Sequence, residues 1–440
     1  MRIGQARTAT AADFTKLWFG ESVSLVGAQV ALLALPLTVL EVLHASVREV
    51  GLLNALSFVP FTGALLVGVW IDRVRRRHAM IGSNIIRAGV LLTLPLLAWT
   101  GQLRLEIVYG AALVLGACSV IFDVAYQSYL PALVAPTELV RANSRMEGSA
   151  ALAQVAGPGA AGILVDLLTA PIALVANGLS YLVSLWSLLL IRRPEVPPAP
   201  RRERGSLWRD IGDGLRLTFS NNLLRACLGQ AATYNMCWLA QQTVFLPYAT
   251  ERLGMSPSLL GLVMGSGAVG SVGGAVVAGR LARRRGHGPA ILIATLLSGA
   301  APALLPVVHD QRPVGLALLV VSFFLGGAGL SIANVHMVSL RQAVTPPDTL
   351  GRVNASYRFV AWGVMPLGAL AGGFLADAAG LRVALVVIAA VFLSAPMWIL
   401  FSKVPELRSL DAATRPSRPD PVESGMVYTA RAPYDDQPGS

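Results

Sequence analysis

Glu21 and Asp123 are carboxylates set inside long apolar runs, and an acid in such a place can take up and release a proton. A charge at the centre of a membrane-spanning helix costs roughly 2.5–3.5 kcal/mol on insertion scales, less near an interface, so each acid is a candidate ion-coupling site. Each also has a plainer reading. Glu21 can reach an interface near Lys16, and Asp123 can pair with Arg73 or Arg141 across helix ends. Asp72 stands alone among four arginines in GVWIDRVRRR (68–77), where a carboxylate needs an arginine or a helix N-terminus as partner. Amides and aromatics gather between 230 and 245. There Tyr234, Trp238, Gln241 and Phe245 recur at helical spacing and form one stripe. Such a stripe suits a cavity, its amides bonding a polar ligand and its rings stacking on a flat one. The same groups also serve as packing between helices. Asn54, Phe58 and Gln154 are further cavity candidates, while Arg358 and Trp362 could face either way.

The elements that must carry these residues follow from composition. Of 440 residues, 54% are hydrophobic and 13% charged, about half the charged share of a soluble domain, and the mean hydropathy is +0.61. A spanning helix needs about 20 apolar residues. Twelve such runs lie near 17–43, 49–71, 79–99, 105–130, 147–167, 172–191, 224–249, 257–279, 288–308, 313–340, 353–376 and 381–402. The first is too long for the core of a signal peptide and no small-residue cleavage pattern precedes it, so it reads as an uncleaved span.

A net charge of +11 would suit nucleic acid, but every basic cluster sits beside a span. Loops after even-numbered spans hold the groups Arg73 to Arg77, Arg141 with Arg145, Arg192 to Arg216, and Arg283 to Arg285. Loops after odd-numbered spans hold only Arg48, Arg104, Arg252, Arg312 and Arg382. The positive-inside rule then places both termini and the 192–223 connector in the cytoplasm. Nucleic acid is excluded as partner, and the lipid bilayer is implied. Cys118, Cys227 and Cys237 all fall within spans, so no disulfide framework is expected. Lys16 and Lys403 are the only lysines, a bias expected of a GC-rich bacterial genome, and the expected location is the bacterial inner membrane.

The chain repeats itself without gaps at an offset of 211 residues. Leu35-Pro36 meets Leu246-Pro247, Gly68 and Arg73 meet Gly279 and Arg284, Arg141 and Asn143 meet Arg352 and Asn354, and GILVD (162–166) meets GFLAD (373–377). The expected fold is an all-α membrane protein with twelve transmembrane helices in two parallel six-helix repeats. Its parts are an N-terminal bundle (1–191), a connector (192–223), a C-terminal bundle (224–402) and a disordered tail (403–440). Halves related by an axis along the membrane normal place a solute near the midplane between them. The Pro- and Arg-rich 192–206 should be extended, and LWRDIGDGLRLTF (207–219) reads as an amphipathic helix on the inner leaflet or as a solvated tether.

With these residues in place, the chain resembles the major facilitator superfamily, whose loop 2–3 signature runs roughly G-x-x-x-D-R-x-G-R-R/K. Gly68, Asp72, Arg73, Arg76 and Arg77 match it, with Arg75 where many members have Gly and Arg283 at the acid position of the second copy. FDVAYQSYLPALV (122–134), VAGPGAAGILVDLL (155–168) and PDTLGRVNASYRFVAWGVMPLGALAGG (347–373) are most similar to the branch of bacterial siderophore and macrolide exporters. The resemblance implies a gating role for Gly68, Asp72, Arg73 and Arg76, with Asp72 latching the halves against the start of span 11. It implies an antiporter-type motif at Gly157, Pro158 and Gly162. The fourth-helix arginine of many drug/proton antiporters is absent, since Ala112 falls at its place.

The expected activity is therefore proton-driven export of a small amphipathic organic molecule, by a monomer that needs no cofactor and no metal. Neither lysine sits in a phosphate-binding loop, which excludes a nucleotide-driven pump, and no HExxH or GxSxG supports an enzyme. Uptake, or a non-transporting sensor or scaffold on the same fold, are the alternatives.

Overall fold

The structure is a computed structural model that describes residues 2–192, 195, 207–346 and 349–409. Span 1 is Arg2–Val42. Span 2 is Val47–Phe58 and Ala64–Ile71, joined by a 3-10 turn at Val59–Gly63, and spans 3 to 6 are Arg76–Trp99, Leu105–Leu133, Leu139–Leu168 and Ala170–Leu189. A connector helix, Leu207–Ser220, leads to span 7 (Asn222–Pro247), span 8 (Pro257–Arg285), span 9 (His287–Ala300 and the turn Ala301–Val307) and span 10 (Pro313–Val344). Span 11 is Leu350–Gly363 and Met365–Ala379, and span 12 is Leu381–Ser394 with the short Met397–Leu400.

Eleven of these are long and apolar enough to cross a membrane. Span 7 has the length, but Arg225 and its amides lower its hydropathy; it packs between both parts of span 11 and span 12 and stands as the twelfth. Span 1 starts earlier than its apolar run because a polar segment continues the helix.

The two breaks have local causes. Pro60 supplies no N–H to the ladder of span 2, and Pro366 follows the break of span 11 at Val364. They lie at the same height, Gly363 standing beside Thr62. Spans 5 and 8 run unbroken.

At the ends remote from the arginine turns, the two halves meet backbone to backbone. A methyl group at Gly162 would collide with the carbonyl oxygen of Pro257, and one at Gly51 would lie 2.7 Å from that of Ala369. Asp166 Oδ2 accepts the backbone N–H of Ser258 at 2.9 Å and so caps the start of span 8. Arg48 lies over the Phe374 ring at 4.2 Å, and Asn54 Nδ2 donates to Thr243 Oγ1 at 3.0 Å.

The connector helix is docked on the arginine-side half of span 11: Ser356 Oγ donates to the Ile211 carbonyl at 3.0 Å, and Asp213 meets Arg352 at 3.5 Å. Most of 192–206, with Arg193, Arg201, Arg202 and Arg204, lies outside the described residues. The tail departs from the expectation of disorder at its start. Val404–Glu406 forms a turn, Val404 is fully buried, and the Gly288 N–H donates to the Leu407 carbonyl at 2.8 Å, because two apolar side chains there find the start of span 9. Residues 410–440 lie outside the described set.

Candidate functional site

Asp123 and Gln127 stand where two cavities meet, both on the arginine side of the closed contacts. One cavity, ≈ 340 Å³, lies between spans 2, 4 and 11 and is lined by Phe61, Gly68, Asn354, Arg358 and Trp362. The other, ≈ 510 Å³, lies among spans 1, 4 and 5 and is lined by Glu21, Tyr126, Asn143 and Glu147. The fold thus brings Glu21 and Asp123 to one wall. Lys16 bonds Asp13 at 2.7 Å and the Leu190 carbonyl at 2.9 Å, so the interface reading of Glu21 is not realised. Glu21 Oε2 is buried with no hydrogen-bond partner. Among the described residues Asp123 makes no ion pair with Arg73 or Arg141; the cations whose charge acts on it are Arg87 and Arg358.

Sequence reasoning passed over Arg87 and Glu147. Arg87 is a basic residue inside span 3, at 5% exposure, and a charged residue at that depth is itself a functional signal. Attention to loop arginines hid it. Glu147 lies at the cytoplasm-style polar start of the fifth apolar run, where an acid draws no notice.

Where the cavities end, rings from both halves close the space. Phe58 and Phe61 of span 2 have centroids 5.7 Å apart; Trp238 of span 7 meets Phe58 edge-on at 6.5 Å, and Trp362 meets Phe61 at 5.4 Å. Arg358 lies over Trp362 at 5.1 Å. The structure divides the expected span 7 stripe. Tyr234 packs on Phe392 at 5.2 Å and Phe245 on Phe323 at 5.0 Å, both in the apolar core, and Gln241 is 8% exposed. Of the four, only Trp238 has a ring contact across the halves. These two rings pack within the second half, on spans 12 and 10, so the cavity-lining expectation is corrected for Tyr234 and Phe245. Gln154 is exposed on span 5 and lines neither cavity.

A family model of the Major Facilitator Superfamily matches residues 17–311 and again 238–431. The chain belongs to the major facilitator superfamily. It is 27% identical over 426 residues to the multidrug efflux pump Tap of Mycobacterium tuberculosis, covering 93% of this chain and 97% of that one. It is 19% identical over 370 residues to macrolide efflux protein A of Streptococcus pyogenes, covering 84% and 90%. The nucleoside transporter NupG superposes with TM-score 0.70 at 13% identity, over 88% of this chain and 98% of that one. A bacterial homologue of the iron transporter ferroportin, in its inward-facing state, gives 0.71 at 18%, over 88% and 98%. These two likenesses concern the fold.

The facilitator motifs can be placed residue by residue. Gly68 lines the first cavity opposite Gly351 and Asn354 at the start of span 11, Asp72 closes the last turn of span 2 half-buried, and Arg73 is exposed. Glu195 Oε1 accepts the Arg76 N–H at 2.7 Å and Oε2 the Arg77 N–H at 3.2 Å, capping span 3. Arg77 in turn donates to the Leu188 and Leu189 carbonyls that end span 6. In the GPxxxG motif, Gly157 admits the Gln29 side chain of span 1, while the Pro158 carbonyl and Gly162 face span 8.

Proposed function

We propose that this facilitator is a proton-coupled exporter of small amphipathic organic molecules, working by alternating access as a monomer. One observation carries the reading: a cleft with Glu21 and Asp123 on its wall lies on the arginine side, while glycine-to-carbonyl contacts seal the other side. The efflux pumps to which the chain is similar support export. The excess of arginine supports a cytoplasmic position for the open side and both termini, and this is then the state that loads solute from within. Phe58, Phe61, Trp238 and Trp362 offer ring faces to a flat apolar portion, and Asn354 and Gln127 offer amides. In the opposite state the cleft closes, Gly68 allows approach, and Asp72 with Arg73 engages the start of span 11. There a proton from outside is taken up at Asp123 or Glu21 as the solute leaves, and it is released to the cytoplasm after the cleft reopens.

The test uses the purified full chain in proteoliposomes of determined orientation, with ethidium and erythromycin as probes. A pH gradient should drive each probe from the cytoplasmic to the external side against its concentration. Asp72→Asn should insert normally and lose transport. Accumulation in the reverse direction under the same gradient would overturn export, and full efflux in Asp72→Asn at matched amount would remove the gate.

A further inference from the structure

We propose that a notch between the start of span 7 and the end of span 12 is a binding site for one anionic phospholipid of the arginine-side leaflet. The notch is a cavity of ≈ 320 Å³ lined by Asn222, Arg225 and Ala226 of span 7 and by Met397, Trp398, Phe401 and Ser402. It shares no lining residue with the two central cavities. Its cause is local. Span 12 breaks after Ser394, and Pro396 starts the short helix Met397–Leu400, which brings Trp398 against span 7. Gly229 makes the room, since a methyl group there would collide with the indole. Trp398 Nε1 donates to Thr233 Oγ1 at 3.1 Å and so fixes the ring.

The notch has the polarity of a lipid. Arg225 and Asn222 stand at its outer end, both exposed, with Arg225 Nη2 donating to Asn222 Oδ1 at 3.4 Å. Gly229 and Thr233, which seat the indole, lie one to two helical turns further along span 7, about 6–12 Å deeper. Phe401 is 82% exposed and Trp398 49%, so protein leaves both rings uncovered. Among the described residues no carboxylate pairs with Arg225, or with Lys403, the exposed residue after Ser402. A cation at the helix end above exposed rings fits a phosphate with acyl chains below it, and basic pockets between spanning helices hold anionic head groups in this way. A free phosphate would meet the cation and leave the rings bare.

The repeat shows the notch to be particular to the second half. At the offset of 211, Arg225 falls opposite Phe14, which is buried, and Phe401 opposite Leu190, whose carbonyl accepts from the Lys16 ammonium at 2.9 Å. Asp13 pairs that lysine at 2.7 Å, and the equivalent of Asp13 in the second half is Leu224. The first half thus closes this place with its own ion pair. In the second half a cation stands there without an acid, and a lipid phosphate supplies the missing charge.

Native mass spectrometry of the full chain from detergent tests the site, with dioleoylphosphatidylglycerol and dioleoylphosphatidylcholine as probes. The unmodified protein should retain phosphatidylglycerol about fivefold more tightly than phosphatidylcholine, the effect of one cation at a lipid surface, and should gain Tm from it. Arg225→Gln should lose that preference. Arg285→Gln, at an exposed arginine outside the notch, should keep it. Trp398→Ala should weaken retention of both lipids; if it cannot be purified, Phe401→Ala, at an exposed ring, carries the same expectation. Glycerophosphoglycerol, the water-soluble head group, should not displace the lipid at equal concentration. Equal retention of the two lipids, an unchanged preference in Arg225→Gln, or undiminished retention in the ring variants would overturn the site. Full displacement by the free head group would make the notch an anion site and reject the lipid.

Discussion

The two halves share a register and divide the chemistry. At the offset of 211, Glu21, Arg87 and Asp123 fall opposite Ala232, Ser298 and Asn334, so the charged set exists in the first half alone. Tyr234, Trp238, Gln241 and Phe245 fall opposite Val23, Gly27, Val30 and Ala34, so the span 7 stripe has no counterpart in span 1. What both copies keep includes the close approach of the seam: Gly162 meets span 8, and its equivalent Gly373 meets span 2. On the proposed mechanism, two bundles that rock against each other need matched contact surfaces on both, whereas one proton relay can sit in a single half. Glu147 and Arg358 make the point most sharply. They occupy equivalent positions with opposite charge, each lining one of the two cavities.

The largest effect is expected at Asp123. Asp123→Asn should permit downhill exchange and abolish uphill efflux driven by a pH gradient, with a smaller loss in Glu21→Gln. The division between halves can be broken directly by adding Asn334→Asp to Asp123→Asn. No recovery is expected, because the second half has Ala232 at the place equivalent to Glu21 and so offers no second carboxylate. Recovery of gradient-driven efflux would show the halves to be interchangeable, and unaltered efflux in both single variants would remove the coupling assignment.

The next effect belongs to the shared machinery. Gly162→Leu should prevent the seal opposite the arginine turns, since even one methyl group there meets the Pro257 carbonyl. Overpacking costs about 1–3 kcal/mol, enough to move a balanced two-state equilibrium about tenfold or more. A cysteine placed near Ser258 should become reactive to a membrane-impermeant maleimide from that side. Gly148→Leu, at a glycine with open space around it, is the control and should change neither labelling nor transport. Equal behaviour of the two variants would mean that the seam does not depend on close approach.

How much of this was legible follows from which signals are local. The spans, the repeat and the acids were readable because length, apolar runs and a charge out of place are visible in one dimension. The gathering of Glu21, Asp123 and Glu147 in one cavity was not, since it depends on how spans 1, 4 and 5 cross. The division of the span 7 stripe was hidden for a related reason. Helical spacing says that Tyr234, Trp238, Gln241 and Phe245 share a face, and nothing in spacing says that Phe392 and Phe323 wait opposite two of them. The disorder expected after Lys403 was read from composition, which misses a short turn held by one buried valine.

That division predicts two phenotypes from one stripe. Phe245→Ala removes a fully packed ring, a change that costs about 3–5 kcal/mol in a core, and should reduce the amount of folded protein in the membrane. Trp238→Ala removes a ring that reaches Phe58 across the halves, and should alter apparent affinity or preference among probes while the amount stays near normal. Gln241→Ala should resemble Phe245→Ala in kind and be milder. Loss of Trp238→Ala from the membrane to the same degree would assign the whole stripe to packing.

The smallest expected effect concerns a side-chain hydrogen bond that joins spans 2 and 7. Asn54 and Thr243 have Gly265 and Leu32 as their equivalents, so the other pair of spans cannot copy it. Thr243 Oγ1 also donates to the Leu239 carbonyl at 2.9 Å, which leaves its oxygen free to accept from Asn54 and keeps it satisfied if Asn54 is removed. Asn54→Ala should therefore cost only a net hydrogen bond, about 0.5–1.5 kcal/mol. If the bond is made only in this state, that shifts the balance toward the oppositely open form by roughly two- to tenfold. Distances between spin labels on spans 2 and 7, read as populations, would measure it. Thr243→Val should produce a similar shift, and the Asn54→Ala/Thr243→Val pair no more than either alone. Additive shifts would mean that each residue acts through separate contacts, and the seam between spans 2 and 7 would then rest on packing alone, unlike the one between spans 5 and 8, which Asp166 and Ser258 also join.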